Sequence, residues 1–149
     1  MKKTTSVIAI VLLAALLLTG CDFIPLKKDF SQYGFTFTIA GKVTEQEGNS
    51  FGNATLNTKY GEMTFTKHNM LTLAAAELLL MTAEFKEPLD NGATLYTFKA
   101  SDGFIATSYI IKLENGDAWQ ISVSTPEADY NKNAITKAFT SAEFNAPQE

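Results

Sequence analysis

Apolar and hydroxylated residues alternate with period two through Phe35-Thr36-Phe37-Thr38-Ile39, the pattern of a half-buried strand. A polar loop follows over residues 41–52, and residues 54–60 and 63–66 predict two more strands around Gly61. The spacing then changes. Asn69 is placed to cap a helix over residues 70–85, which stops before Pro88. Asp90-Asn91-Gly92 turns the chain into a meander of three strands, residues 94–100, 104–113 and 118–124. Ser101-Asp102-Gly103 joins the first pair, and Glu114-Asn115-Gly116-Asp117 joins the second with an Asn-Gly suited to a type I′ turn. In the last strand Trp119, Ile121 and Val123 alternate with Gln120, Ser122 and Ser124, giving one buried and one wet face. Thr125-Pro126-Glu127 supplies a cap followed by proline at the first helical position, predicting a second helix through Phe139, with Phe144 fastening the tail.

The first helix is apolar nearly all round. At about 100° per residue, Leu71, Ala74, Ala75, Leu78, Leu79 and Phe85 gather on one side and are expected to face the sheet. Met70, Leu73 and Leu80 fall on the other side with Glu77 and Glu84. Either another element covers these three, or they form an exposed apolar stripe, a possible partner surface.

The predicted class is therefore α+β: an antiparallel sheet with a three-strand meander and two packed helices. Element order over residues 35–145, with the closing Ile135, Phe139 and Phe144, resembles the PsbP-like α+β sandwich found in small exported lipoproteins, the DcrB-like group among them. That resemblance implies helices packed on an antiparallel sheet and no catalytic residue, since the fold commonly serves as an accessory or binding module. A cystatin-like or other layered arrangement fits the same order.

Ahead of the domain, Lys2 and Lys3 precede an apolar run over residues 7–18, too short to span a ~30 Å hydrocarbon core comfortably. The run ends in Leu18-Thr19-Gly20-Cys21, and Cys21 is the only cysteine. A small residue at Gly20 lets a signal peptidase reach the backbone. The segment resembles the type II signal peptide of bacterial lipoproteins, and its Leu-Thr-Gly-Cys end resembles their lipobox. This implies cleavage between Gly20 and Cys21, a diacylglycerol on the Cys21 thiol and an acylated amine, with palmitate among the acyl chains. Two or three chains hold a protein to a bilayer, whereas one binds reversibly. Asp22 resembles the enterobacterial sorting signal that keeps such proteins in the inner membrane, although Phe23 departs from the strongest retention pairs. The expected organisation is a signal peptide over 1–20, a lipidated tether over 21–34, in which Pro25 and mixed charge discourage regular structure, and one globular domain over 35–149. The expected location is the cell envelope, facing the periplasm or the exterior.

Charge narrows the partners. All 12 basic residues are lysines; after cleavage 10 would face 16 acids, a net charge of −6. Such a surface repels phosphates, and without arginine it lacks the guanidinium fork that phosphate and guanine recognition favours. Nucleic acid is excluded as an expected partner. The membrane, through lipid on Cys21, and an envelope protein remain.

For chemistry the inventory is thin. His68 is the only histidine and has no Cys/His partner, so no metal site and no cofactor are expected, and no catalytic residue is assigned. Glu45 with Glu47, and Glu77 with Glu84, are the carboxylate pairs that glycoside hydrolysis would need at ~5 to 9.5 Å. Three functional classes stay open: a non-enzymatic, membrane-tethered binding or accessory module, a carboxylate-dependent cell-wall hydrolase, and a small-ligand carrier. A pocket lined by close acids favours the second, and an exposed apolar stripe favours the first.

Overall fold

A computed structural model describes residues 24–46, 54–100 and 102–144. Cys21, Asp22, the signal residues 1–20 and Glu47 lie outside the described residues. The chain forms β1 (Pro25–Phe30), β2 (Phe35–Ala40), β3 (Thr44–Glu45), β4 (Ala54–Thr58), β5 (Gly61–His68), α1 (Met70–Leu80), β6 (Phe85–Pro88), β7 (Thr94–Lys99), β8 (Phe104–Lys112), β9 (Ala118–Pro126), α2 (Lys132–Thr140) and β10 (Glu143–Phe144). The class is α+β, with every strand pairing antiparallel. One sheet has the order β1-β2-β10 and the other the order β3-β4-β5-β9-β8-β7-β6.

Side-chain alternation places the layers. On β9, Trp119, Ile121 and Val123 point to one face, where they pack with Phe65 and Met63 of β5, Leu95 of β7 and Tyr109 of β8. The small sheet covers this face with Phe35, Phe37 and Ile39, and α2 covers it with Ile135, Ala138 and Phe139. Ring stacking fixes the register of the layers: Phe35 lies on Phe65 with centroids 4.0 Å apart, and Phe144 lies on Trp119 at 5.0 Å. Burying each such ring contributes about 1.5–3 kcal/mol. Phe144 therefore fastens the tail, through a ring contact and a two-residue strand beside β2. The even positions Ala118, Ile110 and Tyr96 point to the opposite face, and α1 packs there.

The meander lies where periodicity placed it, but the turn between β8 and β9 is of another kind. Asn115 does not take the positive φ that a type I′ turn requires; only Gly116, at φ 87°, does. The Gly116 N–H donates to the Leu113 carbonyl and the Leu113 N–H to the Asp117 carbonyl, a type I turn closed by a left-handed glycine. Leu89 to Ala93 repeats this arrangement around Gly92. At the β4–β5 turn Gly61 is required for a second reason: a Cβ there would stand 2.2 Å from the Ser124 carbonyl oxygen of β9.

Three expectations are corrected. Residues 25–30, assigned to an irregular tether, form β1, paired with β2 from Pro25 opposite Ala40 to Phe30 opposite Phe35. Proline is admissible because it opens an edge strand, where its missing donor leaves no ladder bond unmade. Lys27 binds Glu143 of β10 at 2.6 Å, and this hydrogen bond holds the Glu143 carboxyl below its ordinary value. The first helix ends at Leu80 instead of Phe85. Thr82 Oγ1 donates to the Leu79 carbonyl, the Ala83 N–H donates to the Leu80 carbonyl, and Phe85 begins β6. Finally, Thr125-Pro126 closes β9 and does not cap a helix. The buried Thr125 hydroxyl donates to the Tyr60 carbonyl, and α2 starts later, where Asn131 accepts from the Ala134 N–H.

Candidate functional site

The candidate surface is α1, and the rotation of this helix is the main departure from expectation. Asn69 and Thr72 form a reciprocal capping box: the Asn69 carboxamide oxygen accepts from the Thr72 N–H, and the Thr72 hydroxyl accepts from the Asn69 N–H. The first turn is thus set on the end of β5. From there Leu73 and Leu80, two turns apart, point down onto Tyr96, Ile110 and Ala118, and each is only 6% exposed. The stripe proposed from Met70, Leu73 and Leu80 is not one surface, since Leu73 and Leu80 belong to the core and Met70 alone is exposed, at 76%. The side expected to face the sheet faces outward: Leu71 is 81% exposed, Leu78 67%, Leu79 74%, and Met81 just past the helix 78%. Ala74 and Ala75 are exposed between them.

The inversion has a physical cause. With apolar residues on both sides, burial energy does not choose a face. In the adopted rotation Glu77 reaches Lys112 of β8 at 2.8 Å at the margin of the packed face, an exposed pair worth at most about 1 kcal/mol. No other charge occurs on α1, so its outward side is uncharged as well as apolar. A groove of about 590 Å³ runs beside it, with Ala74, Leu78 and Met81 on one wall and Tyr96 and Lys86 on the other.

Beside α1 the same sheet face is polar. His68 Nε2 lies 2.9 Å from Gln120 Oε1; the Gln120 amide donates to Ser108 and Ser122, whose hydroxyls are 2.8 Å apart. His68 is thus the end of a hydrogen-bonded ladder across β5, β9 and β8. Among the described residues no group of three His, Cys, Asp or Glu is placed to hold a metal ion. None of their helices is long and apolar enough to cross a membrane.

On the α2 side, a cleft of about 770 Å³ opens between the β6 edge and the segment leading into α2. Its apolar lining is Phe85, Leu95, Ile105 and the ring of Tyr130, whose buried hydroxyl has no hydrogen-bond partner. Two ion pairs join its walls, Lys132 with Glu87 and Lys99 with Glu127 at 3.1 Å. Glu84 also lines it, so three glutamates share one cleft. The sequence pairs do not meet in this way: Glu77 serves the α1 ion pair, and Glu45 accepts from the Tyr33 hydroxyl. General-acid catalysis relies on a carboxyl kept protonated by apolar surroundings. Here all three side chains are exposed and two hold lysines. The sequence does not announce this cleft: the expected helix runs into Phe85, the first residue of β6, and residues 86–88 are too few to show a strand period. Burial raises the Tyr109 hydroxyl above its ordinary value, and the Asn91 carboxamide donates to it at 2.8 Å.

Compared with protein-family models and with curated proteins, the sequence matches none.

Proposed function

We propose that the chain is a lipoprotein of the bacterial cell envelope, tethered to the membrane through lipid on Cys21 and acting there as a non-enzymatic binding or accessory module. The observation that carries the binding reading is the outward face of α1. Met70, Leu71, Leu78, Leu79 and Met81 stand exposed on an element that two buried leucines hold rigidly to the sheet. Folding alone gives no reason to keep such a face apolar, and contiguous exposed apolar patches mark interaction sites. The anchor reading rests on Leu18-Thr19-Gly20-Cys21 behind the apolar run, and the PsbP-like comparison on the order of strands, helix, meander and helix.

The two parts fit one geometry. Strand β1 begins four residues after Cys21, so lipid on that cysteine holds the domain within about 14 Å of chain. Pro25 lies beside Lys59 and Tyr60 at the β4–β5 turn, on the α2 side of the large sheet. α1 sits on the other side and starts at the far end of β5, about 23 Å away along the strand. An anchored domain therefore turns α1 away from its point of attachment. In a Gram-negative host the reading includes inner-membrane retention through Asp22, facing the periplasm.

Metabolic labelling with palmitate tests the anchor. The native protein is expected to take label and appear in the membrane fraction, and Cys21→Ser to lose both label and signal cleavage; a labelled Cys21→Ser protein would overturn the reading. Asp22→Ser is expected to move the protein to outer-membrane fractions. A second reading, a carrier of a small apolar ligand, is favoured by the 770 Å³ cleft, whose size lies within the ~300–1,000 Å³ of ligand sites. It requires that Ile105→Trp, which fills the cleft, abolish uptake of a fluorescent apolar probe.

A further inference from the structure

We infer that the outward face of α1 is the interface of a two-fold symmetric dimer, a second copy of this chain being its occupant. The inference rests on the reading of that face as a binding surface and names its partner. The pattern of side-chain size carries it. Along the exposed side the residues run large, small, large: Met70-Leu71, then Ala74-Ala75 one turn on, then Leu78-Leu79 after another turn. An isologous contact needs a surface in which residue i meets j and j meets i. Two antiparallel α1 helices crossing at Ala74 and Ala75 meet this condition. The alanines permit close approach, and Leu78 and Leu79 of each copy fall against Met70 and Leu71 of the other. Their dipoles oppose head to tail, which also favours the antiparallel arrangement.

Charge agrees. The ridge itself carries none, and Glu77 and Lys86 in the groove beside it are of opposite sign, so two copies meet there without a surplus of like charge. An anionic lipid surface is a poorer match, since interfacial helices carry lysine and arginine beside the apolar stripe and α1 has neither. The groove between α1 and Tyr96 lies directly beside the ridge, room for side chains of the second helix. Five large side chains, Met70, Leu71, Leu78, Leu79 and Met81, each offer on the order of 100 Å² when fully exposed and are two-thirds or more exposed here. This amounts to a little under ~400 Å² per copy and about 750 Å² for a pair, below the ~1,000 Å² of a stable specific interface. The dimer is accordingly weak in dilute solution, and confinement of both copies to one membrane raises their effective concentration.

The test uses the full chain in membranes. Ala75→Cys is expected to form a disulfide-linked band of twice the chain mass on oxidation, while the exposed loop variant Asp102→Cys is not. Adding Leu71→Glu or Leu78→Glu should remove the band. In mild detergent, sedimentation should show a concentration-dependent dimer that Leu78→Glu weakens at least ~10-fold, with an unchanged circular-dichroism spectrum showing that the variant is folded. No homodimer band from Ala75→Cys overturns the inference, whether that thiol reacts freely with a water-soluble maleimide, is shielded by lipid or cross-links to another protein. In the last case the binding surface stands and the second copy falls. If palmitate labelling fails while the band persists, the anchor falls and the dimer stands.

Discussion

The two faces of the seven-stranded sheet are built from the same strands and treated in opposite ways. On one, Phe35, Phe37, Phe65, Trp119, Tyr109 and Phe139 interlock beneath the small sheet and α2, and the covering layers direct their apolar residues inward. On the other, Tyr96, Ile110 and Ala118 receive only Leu73 and Leu80 of α1, a hydrogen-bonded polar ladder occupies the rest, and the helix turns most of its apolar side outward. The first face accounts for folding; the second leaves apolar surface that folding does not use. The contrast separates residues kept for stability from residues free to serve recognition, and it makes different demands on mutants of similar chemistry.

The largest effect is expected on the interlocked face. Phe65, fully buried and stacked on Phe35, should cost about 3–5 kcal/mol when changed to Ala, a large part of the stability of a domain this size. A thermal melt showing a small shift would mean that this face is less tightly packed than the rings indicate. Next comes Leu73→Ala beneath α1, with an expected loss of about 2–4 kcal/mol through the cavity left above Tyr96 and Ala118. Leu78→Ala, the same substitution less than two turns away, should change stability by no more than ~0.5 kcal/mol. Equal melting shifts for Leu73 and Leu78 would remove the distinction between the two sides of α1. The smallest effect concerns the edge of the small sheet. Because the Lys27 hydrogen bond lowers the Glu143 carboxyl from its ordinary 4.5, that pair contributes in full above about pH 4.5, and its contribution is lost as the pH falls through the lowered folded-state value. Acid titration of Glu143→Gln should therefore show a shallower loss of stability below pH 4.5 than the native chain, with the two curves separating slightly above it. Parallel acid limbs would count against the contact.

What could be read in advance follows the same division. Phe35-Thr36-Phe37-Thr38-Ile39 and Trp119-Gln120-Ile121-Ser122-Val123 alternate because each has one dry and one wet face, and the period-two signal marked both strands. β1 could not be read that way. It is an edge strand whose Leu26 and Lys27 are both exposed, so its conformation comes from pairing with β2 and leaves no periodic trace. Thr125-Pro126-Glu127 has the composition of a helix start, yet the Thr125 hydroxyl found a tertiary acceptor at Tyr60, a competition that local sequence does not encode. α1 is the instructive case. Its existence and its cap were legible, but its rotation was not. An amphipathic helix announces its buried side; one apolar all round leaves that choice to the shape of the sheet it meets, here the pocket of Tyr96, Ile110 and Ala118 that takes Leu73 and Leu80. The cleft at β6 stayed hidden for a related reason: its wall comes from a four-residue strand whose first residue, Phe85, continues the apolar run of that helix.

The order of the small sheet, β1-β2-β10, sets a timetable. Its third strand is the last described segment of the chain, and Thr36 meets Glu143 across 107 positions of sequence. A chain emerging from its N-terminus can form the β1–β2 hairpin early, but it cannot add β10 to β2 or bring Phe144 onto Trp119 until residue 144 has appeared. Closing so long a loop delays the reward of the final contacts until the end. The emerging chain therefore stays open along that seam, and the same ring contact that seals the tail makes completion a single late event.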